Sequence, residues 1–296
     1  MITNYSFDDF DKQFPNDDAC LDFLFKVRYG KKPNCLKCGE KINYKRVKDR
    51  KSYQCQITKC QYQVYPMAKT PFRKSTKGLR KWFLAMYLHH TSKDGIAAME
   101  LKRGLGISYP TAFRMSHKIK SMMATKTDKL FGIVEIDETF IGGLAKNMHY
   151  KKRQELFKGR RGAVNKTIVF GMLQRGGPII AKIVENTDEE TLLPIIRAHV
   201  DKSAIIVTDG HKAYSNLHKY FAQHIVVDHT RRKYTNGEYS TNTIEGFWSQ
   251  LKRMLKTHIH VSKKHLQKYV DEAVFKYENR DTPIGIFQAI LRNLAD

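Results

Sequence analysis

The chain has 296 residues, of which 41% are hydrophobic, and its 53 Lys and Arg against 29 Asp and Glu give a formal net charge of +24. No apolar run approaches the ~18 residues of a membrane span, and Met1 to Phe10 carry no basic, apolar signal-like pattern, so we expect a cytoplasmic protein with no membrane partner. The positive excess favours a polyanionic partner. A chain of this length is expected to divide into two or more domains.

The N-terminal part of the chain contains all five cysteines. Residues 1–30 are predicted to form a helical segment, with Cys20 as a small buried side chain. Two cysteine pairs follow in 31–68, on either side of a basic hairpin. Each pair lies in a tight turn, called a knuckle, and the four thiolates can complete a tetrahedral shell around one metal ion. The segment therefore predicts a zinc ribbon with one structural Zn²⁺, although the second knuckle is two residues longer than usual and disulfides are the alternative. The predicted ligands are Cys35, Cys38, Cys55 and Cys60.

Residues 75–125 have the apolar spacing of helices and are predicted to be a DNA-binding region. A helix, a turn at 104–108 and a second helix from about Pro110 have the form of a helix-turn-helix. Many helical hairpins have basic faces without binding DNA, so the motif alone leaves both interpretations open. The second helix is expected to expose Arg114, His117, Lys118 and Lys120, with Arg114 and Lys118 at the DNA.

From about residue 130 the apolar pattern changes to alternating strands and helices. The predicted order is three strands, a helix, a strand, a helix from about Lys212 to Phe221, a strand and a further helix. This order is typical of the ribonuclease-H-like fold, an α/β domain with a mixed sheet, which we expect over 130–280. A C-terminal helix is expected over 281–296. In this fold the first and fourth strands of the region are neighbours.

Three acidic residues lie where a packed core would normally exclude them: Asp137 within the first strand, Asp209 after the fourth, and Glu245 in an amphipathic helix. Burying a lone carboxylate is costly, so each requires a partner. A pair of Mg²⁺ or Mn²⁺ ions is the simplest shared partner, since these ions prefer carboxylate oxygens. Glu135 and Glu138 flank Asp137, and Glu138 is the one more easily mistaken for the metal ligand.

The helix of Glu245 has an apolar stripe of Ile244, Trp248, Leu251 and Leu255. If this stripe packs on the sheet, Glu245 can approach the two aspartates while Lys252 reaches a substrate phosphate. For an isolated helix, a solvated Glu and Lys would be the preferred interpretation, but the position after two strand-end aspartates reverses this preference.

Two basic segments can supply phosphate contacts. Solvated loops are the alternative for each. The predicted DNA-contacting residues of these segments are Lys151, Lys152, Arg153, Arg160, Arg161, Arg231 and Arg232, with Lys158 and Lys233 in the same two clusters.

Nearly the whole chain resembles a known family at these residues. CLKCG, GISYPTAFRMSHKIK, VEIDETFIGG, VTDGHKAY and NTIEGFWSQLKR, followed by HIHVSKKHLQKYVDEAVFKYENR, are similar to the zinc-ribbon insertion-sequence transposases of the DDE superfamily, the ISXO type. The resemblance implies a ribonuclease-H-like catalytic domain with a metal-binding triad at Asp137, Asp209 and Glu245. It also implies that Lys252 contacts substrate and that the four paired cysteines bind zinc.

The expected activity is DNA transposition with two metal ions per active site. Water would free a 3′-hydroxyl at the transposon end, and that hydroxyl would attack target DNA. Transposon ends and target are both double-stranded DNA, so a nucleoid-associated protein is expected, and a synapse of two ends suggests at least a homodimer. A DNA-binding regulator that does not cut, or a nuclease of the same fold that does not join strands, is the alternative.

Overall fold

A computed structural model describes residues 5–31, 33–42, 44–124, 127–143, 149–157, 166–227, 239–281 and 285–294, without the side chains of Lys152, Leu156 and Phe157. The chain divides into two compact units, 1–123 with 279–296, and 124–278. Each helix in the described ranges is too short or too polar to span a bilayer.

The first unit has an aromatic core built from both ends of the chain. The rings of Phe10 and Phe14 lie 5.5 Å apart, and Phe287 of the C-terminal helix lies 5.8 Å from Phe10 and 6.0 Å from Phe14. Large rings contribute most of the apolar area that such a small core can bury. The helices around it are α1 (Phe7–Gln13), α2 (Asp17–Tyr29), α3 (Leu79–Thr91) and α10 (Gly285–Arg292).

The predicted helix-turn-helix is present as α4 (Ala98–Leu105) and α5 (Tyr109–Met122). Gly106 ends α4 with φ 60°, a left-handed conformation that glycine adopts without steric cost. The expectation that His117 and Lys120 are exposed was wrong, because both are buried. Two faces of α5 are covered, and its exposed stripe follows the helical period through Arg114, Lys118 and Ser121.

The cysteine segment forms a small antiparallel sheet in the order β1-β2-β3. Its strands are β1 (Tyr44–Arg46), β2 (Tyr53–Cys55) and β3 (Gln63–Val64). The ring of Tyr53 on β2 stacks on Phe25 of α2 with centroids 4.3 Å apart. The sheet is therefore anchored to the N-terminal helices by an aromatic contact.

The second unit is built on a five-stranded mixed sheet in the order β6-β5-β4-β7-β8. β4 pairs antiparallel with β5 and parallel with β7, which confirms the expected neighbour relation between the first and fourth strands of this region. The strands are β4 (Ile133–Ile141), β5 (Thr167–Gln174), β6 (Ile179–Val184), β7 (Ile205–Thr208) and β8 (Gln223–Val226), and α6 (Tyr150–Phe157) lies between β4 and β5 in sequence.

Each face of this sheet has its own apolar core. Val134 and Ile136 of β4 pack with Leu192 of α7 (Glu189–His199) on one face. Val169 of β5 packs with Trp248 on the other face, which is covered by α8 (Asn242–Lys256) and α9 (Leu266–Glu278). Alternation along a strand thus assigns each β4 side chain to one helical layer.

The segment after β7 differs from the helix predicted from Lys212 to Phe221. It forms two 3₁₀ turns, Lys212–Tyr214 and Leu217–Lys219, whose buried side chains are those of Ala213, Tyr214 and Leu217. The short segment therefore buries these side chains without an α-helix.

Candidate active site and zinc site

The four paired cysteines converge in the first unit. Their sulfur atoms all lie within 4.8 Å of one another, with Cys35 Sγ 3.7 Å from Cys60 Sγ and Cys38 Sγ 3.9 Å from Cys55 Sγ. A disulfide requires about 2.05 Å, so these distances exclude the disulfide alternative. Four sulfurs at the zinc–sulfur distance from one tetrahedral ion lie about 3.8 Å apart, and the cluster therefore fits zinc.

The longer second knuckle is accommodated by a turn. The backbone N–H groups of Cys60 and Gln61 both donate to the Ile57 carbonyl oxygen, at 2.9 and 3.1 Å, and Cys55 N–H donates to Tyr62 O at 2.8 Å. Gln61 takes φ 47°, the left-handed conformation that reverses the chain. The two additional residues are absorbed in this turn, which returns Cys60 to the cluster.

Asp137 lies on β4, and Asp209 directly follows the adjacent strand β7. β4 and β7 run parallel with Glu135 opposite Val207, and the two aspartates each lie two residues further along. The charge of Asp209 raises the pKa of Asp137, so the two carboxylates lie near one another. Asp209 Oδ1 accepts the His211 backbone N–H at 3.0 Å, which fixes the turn that follows β7.

The Asp137 carboxylate lies in an unfavourable environment for a negative charge. Burial raises its pKa to about 7, and repulsion from Glu138 and Asp209 acts in the same direction. The Glu138 backbone N–H and the Trp248 indole N–H both donate to Asp137 and act in the opposite direction. A cation bound to Asp137 and Asp209 would offset both the cost of burying the charge and the repulsion.

Glu245 reaches this region through α8. Trp248 Nε1 donates to Asp137 Oδ2 at 2.9 Å, and Glu245 lies one helical turn before Trp248 with an exposed side chain. Lys252 is exposed one turn after Trp248. Among the residues that the structure describes, the four cysteines are the one group of three or more potential ligands within 4.8 Å. Asp209 lies near enough to Asp137 to raise its pKa, but the carboxylates of Asp137, Asp209 and Glu245, all three of them described residues, do not all lie within 4.8 Å of one another.

Gly171 of β5 makes the contact between Trp248 and Asp137 possible. Gly171 is the register partner of Asp137, and a Cβ added at Gly171 would lie 2.6 Å from two ring carbons of Trp248. The indole ring therefore lies directly across the β5 backbone, where a larger residue would displace it.

Glu138, which resembles a metal ligand in the sequence, lies on the other face of the sheet from Asp137. It has the strand parity of Val134 and Ile136, and it accepts a hydrogen bond from the Tyr214 hydroxyl at 2.5 Å. Burial raises the pKa of Glu138, and the nearby Asp209 adds to the rise while the Tyr214 hydrogen bond opposes it.

Glu135 is a residue that the sequence reasoning missed. Its carboxylate is fully buried, and it accepts hydrogen bonds from Thr243 and Ile244 at the start of α8. Arg175, in the turn between β5 and β6, donates to the same carboxylate at 3.1 and 3.2 Å. The sequence signal for Glu135 was its spacing of two residues from Asp137, which puts both side chains on one face of the strand. A carboxylate buried there requires a partner, as Asp137 does.

The predicted DNA-contacting residues have different surroundings. Arg114 and Lys118 are exposed on α5, and Lys118 Nζ donates to the Pro71 carbonyl oxygen at 2.8 Å. Lys151 and Arg153 are exposed on α6. The following positions lie outside the described residues: Lys158, Arg160, Arg161, Arg231, Arg232 and Lys233, together with the side chain of Lys152.

Comparison with known proteins matches both units. Residues 129–278 match the ISXO2-like transposase domain, and residues 15–63 match the transposase zinc-ribbon domain. These matches confirm the expected α/β fold class and the zinc ribbon.

Three individual proteins illustrate the similarity. An uncharacterized protein in transposable element ISH50 of Halobacterium salinarum is 27% identical over 269 residues, 88% of this chain and 90% of that protein. An uncharacterized transposase-like protein of Haemophilus influenzae is 31% identical over 112 residues, 38% of this chain and 89% of that protein. A chain in the cryo-EM structure of the simian T-cell lymphotropic virus intasome with PP2A regulatory subunit B56 gamma is 13% identical, and the match covers 67% of this chain and 69% of that one. Its TM-score of 0.32 is too low to support an inference.

Proposed function

Because this chain belongs to the ISXO2-like transposase family, we propose that it is a metal-dependent DNA transposase that cleaves at transposon ends and joins them to target DNA. The observation that carries the proposal is the position of Asp137 on β4 and of Asp209 directly after the adjacent parallel strand β7, with α8 bonded to Asp137 through Trp248. We infer that α8 carries Glu245 toward the two aspartates, since Trp248 of the same helix is bound to Asp137.

Asp137, Asp209 and Glu245 are the proposed ligands of two Mg²⁺ or Mn²⁺ ions. All three offer carboxylate oxygens, the donors that these ions prefer, and the pKa of Asp137 is raised by burial and then by repulsion from Glu138 and Asp209, both of which a bound cation would offset. Bound divalent ions would supply activation of the attacking oxygen and stabilisation of charge on the phosphate.

The chain's own residues orient the reaction. Trp248 donates its indole N–H to Asp137, and we assign a contact with a phosphate of the bound DNA to Lys252, which is exposed one turn further along α8. In the first step the oxygen of water attacks phosphorus, and the bond from phosphorus to the 3′-oxygen breaks. In the second step the freed 3′-hydroxyl attacks a target phosphodiester, and the target's own 3′-oxygen leaves.

Double-stranded DNA is the proposed partner, with transposon ends and target both bound. The net charge of +24 supports this partner because neutralising phosphates releases counterions. We assign recognition of the ends to the zinc ribbon and the α4–α5 helix-turn-helix, where Arg114 is exposed. Lys151 and Arg153 are further proposed phosphate contacts, and a synapse of two ends requires at least a homodimer.

Cleavage of a labelled duplex that carries the element's end tests this proposal. Wild-type protein with Mg²⁺ or Mn²⁺ is expected to nick the end, whereas Asp137→Ala, Asp209→Ala and Glu245→Gln lose at least about a hundredfold in rate. Glu190→Gln removes an exposed carboxylate of α7 and is the matched control with unchanged cleavage. Binding without cleavage by the wild type would instead support the regulator alternative.

A further inference from the structure

We propose that Glu135 is a positioning residue that, with Arg175, fixes the first turn of α8 and thereby the place of Glu245 at the metal site. This inference rests on the proposed function, since it concerns the same carboxylate site. Glu135 lies on β4 two residues before Asp137, so one strand would supply both a ligand and the anchor for the helix that carries another ligand.

The contacts of Glu135 with α8 replace an ordinary helix cap. Glu135 Oε2 accepts the backbone N–H groups of Thr243 and Ile244, both at 3.0 Å, and Oε1 accepts the Thr243 hydroxyl at 2.9 Å. These are the second and third residues of α8, whose amides a capping side chain usually binds. Thr241, at the N-cap position, makes no such side-chain bond. The cap of α8 thus comes from the sheet.

Arg175 connects the same carboxylate to the chain before α8. Its guanidinium donates to Glu135 Oε1, and its Nη2 also donates to the Ser240 carbonyl oxygen at 3.1 Å. The Arg175 backbone N–H donates to Ile133 O at 2.9 Å, which fixes the arginine against β4. The carboxylate therefore has a cation on one side and the positive end of α8 on the other, which compensates for its complete burial.

The position of Glu245 depends on this first turn. Glu245 directly follows Ile244, whose amide is bound to Glu135, and Trp248 one turn later is bound to Asp137. The helix is held at two points by two residues of a single strand. Glu245 lies between these points, so loosening the first would displace its carboxylate relative to Asp137 while leaving the indole contact in place.

The test compares Glu135→Ala, Glu135→Gln and Glu272→Gln in the full-length protein. Mn²⁺ binding is measured by titration calorimetry, and amide hydrogen exchange is followed in the peptide that covers 241–247. Glu272 is buried and paired with Lys276 at 3.3 Å within α9 of the same unit, so its substitution matches the loss of a buried ion pair away from the start of α8. Asp137→Ala reports whether the wild-type Mn²⁺ site is the proposed one.

For Glu135→Ala we expect exchange in 241–247 at least about tenfold faster and Mn²⁺ binding about 10- to 100-fold weaker, the usual effect of losing a residue that orients metal ligands. Glu135→Gln keeps an acceptor oxygen and should recover part of both losses, while Glu272→Gln should change neither. Unchanged exchange, or faster exchange with unchanged Mn²⁺ binding, would overturn the positioning role. Equal Mn²⁺ binding by wild type and Asp137→Ala would overturn the proposed metal site and the positioning claim with it, whereas the exchange data would still report the anchoring of α8.

Discussion

Three carboxylates within four residues of β4 have three different environments. Glu135 is stabilised by a guanidinium and a helix N-terminus, Asp137 by an indole N–H, and Glu138 by the Tyr214 hydroxyl in the opposite layer. Burial carries a free-energy cost for each negative charge, and a different neighbouring group offsets that cost at each of the three residues. Burial raises the pKa of Asp137 to about 7 in spite of its hydrogen bonds, and Asp137 is the residue that we propose to bind metal.

Gly171→Ala tests the close approach of Trp248 to the sheet. The added Cβ would lie 2.6 Å from the indole ring, so we expect a loss of about 1–3 kcal/mol in the free energy of unfolding and a slower cleavage reaction. Gly246→Ala is the matched control, because nothing lies within 4 Å of a Cβ at Gly246 within α8. This control should gain about 0.5–1 kcal/mol from helix propensity. Equal stabilities of the two variants in urea denaturation would contradict the account.

Regular elements with a strong period were predictable, and those set by tertiary contacts were not. The five strands of the large sheet and α8 followed from alternation and an apolar stripe. The wide buried face of α5, which includes His117 and Lys120, could not be predicted because tertiary packing buries basic residues that look solvated in sequence. The partner of Glu135 was also hidden, since Thr243 and Ile244 contribute backbone amides that carry no residue-specific signal.

Cys60→Ser tests the longer knuckle of the zinc ribbon. The Cys60 sulfur lies 3.7 Å from that of Cys35, so we expect one Zn²⁺ per wild-type chain and at least about a tenfold loss of zinc affinity in the variant. Cys20→Ala should retain zinc, because Cys20 lies in α2 and burial raises the pKa of its thiol to about 12. Zinc competition against a chelator measures both. Equal zinc affinity in Cys60→Ser and wild type would exclude Cys60 as a ligand.

Gln267→Leu tests the cover of the edge strand β6. Gln267 Oε1 accepts the Ile183 N–H at 3.0 Å, and its Nε2 donates to Ala181 O at 3.1 Å. An uncovered edge invites pairing with another chain, so we expect a loss of about 1–3 kcal/mol and more aggregation by light scattering. Gln267→Glu keeps the acceptor and should have an intermediate effect. Wild-type stability and solubility in Gln267→Leu would show that the cover is unimportant.

In the whole molecule, the charge of +24 is distributed over both units, while the acidic residues of the proposed metal site are confined to the second. Net charge supplies affinity for any duplex, and sequence recognition requires side chains at the grooves. Arg114 and Lys118 of α5 are both exposed, but Lys118 also donates a hydrogen bond to the Pro71 carbonyl oxygen. The two residues are therefore expected to differ in their contributions to DNA binding and to stability.

Arg114→Ala and Lys118→Ala separate phosphate contact from structural support. We expect Arg114→Ala to reduce the slope of log affinity against log salt concentration by about 0.9, the value for one phosphate contact. Lys118→Ala should change the slope less and lower thermal stability, because its Nζ also lies 5.8 Å from the Trp82 ring centroid. Fluorescence anisotropy with a duplex at several salt concentrations measures the slopes. An unchanged slope for Arg114→Ala would count against DNA contact by α5.

Strand transfer with a pre-cleaved transposon end distinguishes a transposase from a nuclease of the same fold. The labelled end is incubated with target DNA, Mg²⁺ or Mn²⁺, and wild-type, Asp137→Ala or Glu245→Gln protein. The account predicts joined products with the wild type and their loss in both variants, because both carboxylates belong to the proposed metal site. Joining that persists in Asp137→Ala would contradict that site, and end cleavage by the wild type without any joining would contradict transposition in favour of a nuclease.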